Sequence, residues 1–84
     1  MGCKRTEKID RALKRLDRCF WRVGKVCRWL NTTNDVNRDS PEWAKELRME
    51  ASSEMISAMG HLQYAEMRMM ALRNWMAKRN HAKN

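Results

Sequence analysis

The stretch that decides the fold is residues 9–30, IDRALKRLDRCFWRVGKVCRWL. Its apolar residues recur at alternating steps of four and three, and they are Ile9, Leu13, Leu16, Phe20, Val23, Cys27 and Leu30. This heptad spacing is typical of a helix that packs lengthwise against a second helix. Thr6 is a suitable N-cap, and the acidic Glu7 and Asp10 suit the positive end of the helix dipole. The sequence therefore predicts a first helix over residues 6–31.

A second helix is predicted over residues 41–79. Residues 31–35, NTTND, prefer turns and caps and therefore end the first helix. Ser40 is a suitable cap for the next helix, and Pro41 suits its first position. The apolar seam of this helix has one long step between Leu47 and Met55, which predicts a shift of register. The predicted seam consists of Ala44, Leu47, Ala51, Met55, Ala58, Leu62, Ala65, Met69, Leu72 and Met76.

These elements predict an all-α fold in which one domain, residues 1–84, forms an antiparallel helical hairpin. Dimerisation would extend the hairpin to a four-helix arrangement. Gly60 leaves open a three-helix bundle, because a glycine inside a helix costs about 1 kcal/mol relative to alanine. The second helix is about a dozen residues longer than the first. Its Met-rich end is therefore expected to extend beyond the first helix.

The net charge of +8 is concentrated in the first helix, where residues 6–31 include eight Lys or Arg and three Asp or Glu. Seven cations and two tryptophans lie within an arc of about 140° opposite the apolar seam. We call this set the basic face; it consists of Arg11, Lys14, Arg15, Arg18, Trp21, Arg22, Lys25, Arg28 and Trp29. Such a face fits a nucleic-acid backbone, an acidic protein surface or simple solvation.

Two further sets of side chains stand out on the second helix. Its C-terminal part carries a candidate partner-docking set, for which the alternative is ordinary core or a dimer interface. That set consists of Met67, Met70, Arg73, Trp75, Met76 and Arg79. At the other end, acidic side chains at steps of four are expected to form interhelical ion pairs with Arg22, Lys25 and Arg28. These acidic residues are Glu42, Glu46, Glu50 and Glu54.

Several classes of function are not favoured by the sequence. No nucleophile motif, phosphate-binding glycine loop or zinc-ligand spacing is present, so we expect no catalysis, no cofactor and no metal. Three cysteines, the lack of a signal peptide and the lack of a long apolar run favour a cytoplasmic protein and disfavour a membrane span. Gly2 and Thr6 match an N-myristoylation pattern, and Cys3 is available for a second acyl group, which makes a lipid-anchored peripheral protein one alternative.

The sequence thus predicts a small basic accessory or regulatory protein that binds a larger protein. An inhibitor or modulator of a nucleic-acid-processing complex, of phage or mobile-element type, fits this description. The main alternative is a protein that binds nucleic acid directly and without sequence specificity.

Overall fold

The computed structural model describes residues 4–82, with side chains from residue 6 to residue 79. Helix α1 spans Lys4–Thr32 and helix α2 spans Glu42–Ala82. Contacts between Asp10 and Arg73 and between Cys27 and Ser52 show that the two helices run antiparallel. Residues 4–82 contain no strand. The predicted helical hairpin is therefore confirmed, as a rod with extents of 67 × 18 × 12 Å.

Helix α2 is continuous through Gly60, so the three-helix alternative is wrong. Helix α1 begins at Lys4, two residues before the predicted start, and Thr6 therefore lies inside it. Thr6 is not the N-cap. Its side chain lies on the face of α1 that meets α2, and the residue is 2% exposed.

The connection between the helices, residues 33–41, folds back over the first turns of α2. Arg48 Nη1 donates a hydrogen bond to the carbonyl oxygen of Val36 at 3.1 Å, and Lys45 Nζ donates one to that of Arg38 at 2.9 Å. The carbonyl oxygen of Pro41 accepts the first helical bond, from Ala44 N. Pro41 thus holds the cap position, while the Ser40 hydroxyl accepts a bond from Asn37 N inside the turn.

The predicted seam of α1 is confirmed, because its seven residues are all buried or half-buried. In α2 the predicted register shift is wrong. Leu47, Ala58 and Leu72, which were assigned to the seam, are exposed. The residues that face α1 instead follow an unbroken heptad pattern that includes polar side chains. They are Lys45, Arg48, Ser52, Met55, Met59, Leu62, Glu66, Met69, Arg73 and Met76.

Polar contacts hold this register in the seam. Asn31 Nδ2 donates a hydrogen bond to Ser52 Oγ at 3.0 Å, and Cys27 Sγ lies 3.6 Å from the same oxygen. Near the other end of the hairpin, Arg73 Nε donates a hydrogen bond to Asp10 Oδ1 at 3.1 Å. Among the described side chains, the acidic row of α2 makes no ion pair with α1, so that prediction is wrong.

The long overhang predicted for α2 is also wrong. Asp10 lies close to the start of α1 and reaches Arg73, so α1 accompanies α2 over most of its C-terminal part. At the opposite end, Cys27 lies five residues before the end of α1, whereas its neighbour Ser52 lies ten residues after the start of α2. The greater length of α2 is thus divided between its two ends, and the connection covers one of them.

The core of this hairpin is thin. Among the described side chains, the most buried are Cys27, Thr6 and Ser52, which are 8%, 2% and 9% exposed. Two helices in contact cover each other on one side only, so the larger apolar residues of the seam stay half-buried. Small side chains therefore occupy the tightest positions, and most of the circumference of both helices faces outward.

Candidate binding surfaces

All nine side chains of the basic face are exposed on α1. Four of them line one shallow depression, namely Arg11, Lys14, Arg15 and Arg18. Arg11 Nη2 lies 3.7 Å from Glu7 Oε2, and within the described residues no other cation of this face has an ion-pair partner. The basic face is therefore a field of largely uncompensated positive charge, able to attract an anionic surface.

The two tryptophans of the basic face point in different directions. Trp21 is 62% exposed, and its ring packs edge-on against Phe20 with the ring centroids 5.7 Å apart. It lines a groove between the helices together with Gly24, Lys25, Cys27, Arg28, Asn31 and Met59. Trp29 is 57% exposed and lies about 80° further round the helix. The two indole rings therefore lie on different sides of the basic face, and only Trp21 lines the groove between the helices.

Gly24 forms the floor of the groove beside Trp21. A Cβ atom at this position would lie 3.2 Å from Met59 Cε, which is tighter than ordinary van der Waals contact. The missing side chain lets the Met59 thioether pack against the backbone of α1. The groove therefore combines an apolar floor with Lys25 and Arg28 at its rim.

The six residues of the predicted docking set do not form one surface. Arg73 is engaged with Asp10 across the seam. Met67 and Met70 line a shallow groove with Gln63, Glu66, Ala71 and Asn74. Trp75, Met76 and Arg79 line a separate depression with Leu72, in which the Arg79 guanidinium lies 5.3 Å from the centroid of the Trp75 ring. The structure therefore divides the predicted set into two surfaces and one interhelical contact.

An apolar row on α2 was predicted only in part, because the predicted docking set contains Met67 and Met70 but neither Met49 nor Ile56. Met49, Ile56 and Met70 are separated by seven or fourteen residues and share one side of the helix with Met67. We call these four residues the methionine row. Met49 is 69% exposed, Ile56 60%, Met67 66% and Met70 49%. The assumed register shift hid the row. When Ser52 and Glu66 are included in the seam, the heptad pattern places the residues of the methionine row on one side of α2.

A second apolar surface lies on the opposite flank of the seam. Its α2 members each follow a seam residue by three positions, as Ala58 follows Met55. On α1, Val26 lines a depression there with Arg22, Val23 and Met55. We call this surface the alanine face; it consists of Cys19, Val26, Ala51, Ala58, Ala65 and Leu72. Val26 and Leu72 are each 49% exposed.

Other kinds of site find little support in the described residues. No group of three or more His, Cys, Asp or Glu side chains is placed there to hold a metal ion. Neither helix, over its described length, combines the length and apolar character needed to cross a bilayer. Gly2 and Cys3 of the predicted acylation pattern lie outside the described residues.

No protein-family model, no curated protein and no solved structure matches the chain.

Proposed function

We propose that this protein is a small basic accessory protein that binds a larger protein through the methionine row. The modulation or inhibition of a nucleic-acid-processing complex is the role that best fits its charge. The observation that supports this proposal is the large solvent-accessible surface area of the hairpin. The chain exposes 7238 Å². A compact protein of 10.1 kDa exposes about 5,300 Å², so the hairpin has roughly 1,900 Å² in excess.

The methionine row has the properties of a docking surface. It runs along α2 from Met49 to Met70, and its four side chains are between 49% and 69% exposed. The row is interrupted by the polar Gln63, and its exposed apolar side chains recur at heptad steps as repeated anchor points along one side of the helix. Methionine side chains adapt to irregular partners, and apolar anchors on one side of a helix suit a partner with a hydrophobic groove.

The basic face would act as an electrostatic guide. Its cations are largely unpaired and lie on the other helix, next to the groove that contains Trp21. Charges at the edge of an interface raise the rate of association with an oppositely charged surface. A partner with an acidic surface, or one already bound to nucleic acid, fits both features.

Affinity purification of the full chain, with and without nuclease, tests this proposal. The double substitution Ile56→Glu with Met70→Glu should abolish recovery of the partner, because it places charge in the methionine row. The matched control, Ser57→Glu with Tyr64→Glu, adds the same charge at exposed positions of α2 outside the methionine row and should retain the partner. Recovery that survives the first substitution, or that disappears with nuclease, would contradict the proposal.

Direct binding to nucleic acid is the second candidate function, and the cluster of Arg11, Lys14, Arg15 and Arg18 in one depression favours it. Affinity for nucleic acid falls as salt rises, and each phosphate contact steepens the slope of log affinity against log salt by about 0.9. Substituting Arg15→Gln with Arg18→Gln should therefore reduce that slope by about 1.8, whereas Lys78→Gln on α2 should leave it unchanged. A flat salt response of the unaltered protein would exclude this function.

A further inference from the structure

We propose that a second copy of this chain packs on the alanine face, with α1 of each protomer against α2 of the other. The product is a four-helix dimer whose two-fold axis runs parallel to the helices. This interface is separate from the methionine row, which lies on the other flank of the seam. The dimer would therefore keep both the methionine row and most of the basic face accessible.

The rod as a whole exposes enough surface for such an interface. A stable complex of standard size buries about 800 Å² on each partner. The excess surface of this hairpin, roughly 1,900 Å² relative to a compact protein, can supply one such interface and leave area for another. A second copy would also complete the core, because Val23 and Met55 line the depression at this face and are only half-buried in the hairpin.

The composition of the alanine face suits a helical partner. Its six side chains are uncharged, and three of them are alanines spaced by seven residues on α2. Small side chains let neighbouring helices approach to about 8 Å, the short end of the usual range. Val26 and Leu72 would then fill the space between helices, as large and small residues alternate in packed cores.

The charged side chains at the edges of the alanine face favour contact of α1 with α2 of the second copy over contact of α1 with α1. On α1, the outer edge of the alanine face is a row at steps of seven, Lys8, Arg15, Arg22 and Trp29. On α2, the corresponding row is Leu47, Glu54, His61, Arg68 and Trp75. A dimer with α1 against α1 would oppose two basic rows. Contact of α1 with α2 of the second copy avoids this repulsion.

The positions of the side chains along the long axis of the hairpin are compatible with the same arrangement. Within one hairpin Gly24 lies beside Met59 and Cys27 beside Ser52, which relates positions on α1 to positions on α2. With the two-fold axis parallel to the helices, Arg22 comes within one to two helical turns of Glu54 of the second copy, a separation that the two long side chains can span. Trp29 similarly comes within one to two turns of Leu47 of the second copy, so the dimer would cover part of both exposed side chains. Arg15 and Arg68 of the second copy approach each other, but both are long and reach solvent at the edge.

The net charge of +8 on each chain opposes dimerisation. At 0.15 M salt the screening length is about 8 Å, so repulsion is confined to charges near the interface. Much of the basic face, including Arg11, Arg18 and Lys25, points away from the alanine face. The uncharged alanine face therefore meets little of this repulsion, and the attraction between Arg22 and Glu54 opposes what remains.

Sedimentation equilibrium of the purified full chain, in 0.15 M salt over a range of concentrations, tests the dimer. We expect a species of twice the 10.1 kDa chain mass. The substitution Ala58→Glu, at the centre of the alanine face, should weaken dimerisation by on the order of 100-fold. The control Ser57→Glu lies on the adjacent exposed position and should change it less than about threefold. A chain that stays monomeric at all concentrations, or equal effects of the two substitutions, would overturn the proposal.

A charge reversal tests the orientation of the two copies. Arg22→Glu and Glu54→Arg should each weaken dimerisation, and the double variant should recover it. Arg22 and Glu54 of the same chain form no ion pair, so the recovery would have to arise between chains. Far-ultraviolet circular dichroism of each variant shows whether the helices persist. Failure of the double variant to recover would overturn the contact of α1 with α2.

Discussion

Arg73 Nε donates a hydrogen bond to Asp10 Oδ1 over 3.1 Å, and this contact ties the early part of α1 to the late part of α2. The two side chains are 37% and 41% exposed, so the pair is only partly shielded from water. It is an interaction of opposite charges that an all-apolar seam would lack. Its main consequence is geometric, because a slip of one heptad would separate the two charges.

The contribution of this pair can be measured by a double-mutant cycle. The substitutions Asp10→Ala and Arg73→Ala should show a coupling energy of about 0.2–1 kcal/mol in urea unfolding, the range of partly exposed ion pairs. Raising the salt concentration should reduce this coupling. All variants must be compared at one protein concentration, because association shifts apparent stability. A coupling energy of zero at low salt would show that the contact does not persist in solution.

Replacing Gly60 by alanine should stabilise the folded protein. A Cβ atom at Gly60 meets no heavy atom within 4 Å, and the residue lies within the continuous helix α2. Gly60→Ala should therefore raise the free energy of unfolding by about 1 kcal/mol. At Gly24 the new methyl group would press on Met59 Cε, so Gly24→Ala should yield a smaller gain. Thermal or urea unfolding of both variants checks this order, and a larger gain at Gly24 would contradict it.

Glu66 is a polar residue in the seam whose carboxylate oxygen Oε1 is buried without a hydrogen-bond partner. An unsatisfied buried polar group costs about 1–3 kcal/mol. Glu66→Leu should therefore stabilise the hairpin by on the order of 1 kcal/mol in urea unfolding. The control Glu50→Leu, at an exposed position of the same helix, should have little effect. Destabilisation by Glu66→Leu would mean that the carboxylate gains a partner in solution.

The two described cysteines should differ in reactivity. Cys19 is exposed, whereas Cys27 is buried beside Ser52 and Asn31. In a Cys3→Ser background, a maleimide should modify Cys19 on the order of tenfold faster than Cys27 at low protein concentration. Because Cys19 belongs to the alanine face, its labelling should slow as protein concentration rises. Equal rates at the two cysteines would contradict the seam assignment of Cys27.

Much of the candidate site was accessible from the sequence. The basic face depends only on which residues share one side of a helix, and that follows from helical periodicity once the helix is established. The docking set was predicted less well. Met67 and Trp75 are both exposed, as an accessible surface requires, yet they line different depressions because their positions on α2 diverge.

The sequence by itself determined the two helices, the turn between them and the seam of α1, because helix propensity, the turn-forming residues 31–35 and the unbroken apolar heptad of α1 agree there, although both predicted caps were wrong. Only the tertiary structure decided the register of α2. Apolar residues surround that helix on every side, so apolar spacing alone selects no unique face. The contacts of Ser52 with Cys27 and of Arg73 with Asp10 select it, and they exist only when α1 is present. Pairing of polar groups across two helices, which no single stretch of sequence contains, thus fixed which apolar rows were left exposed.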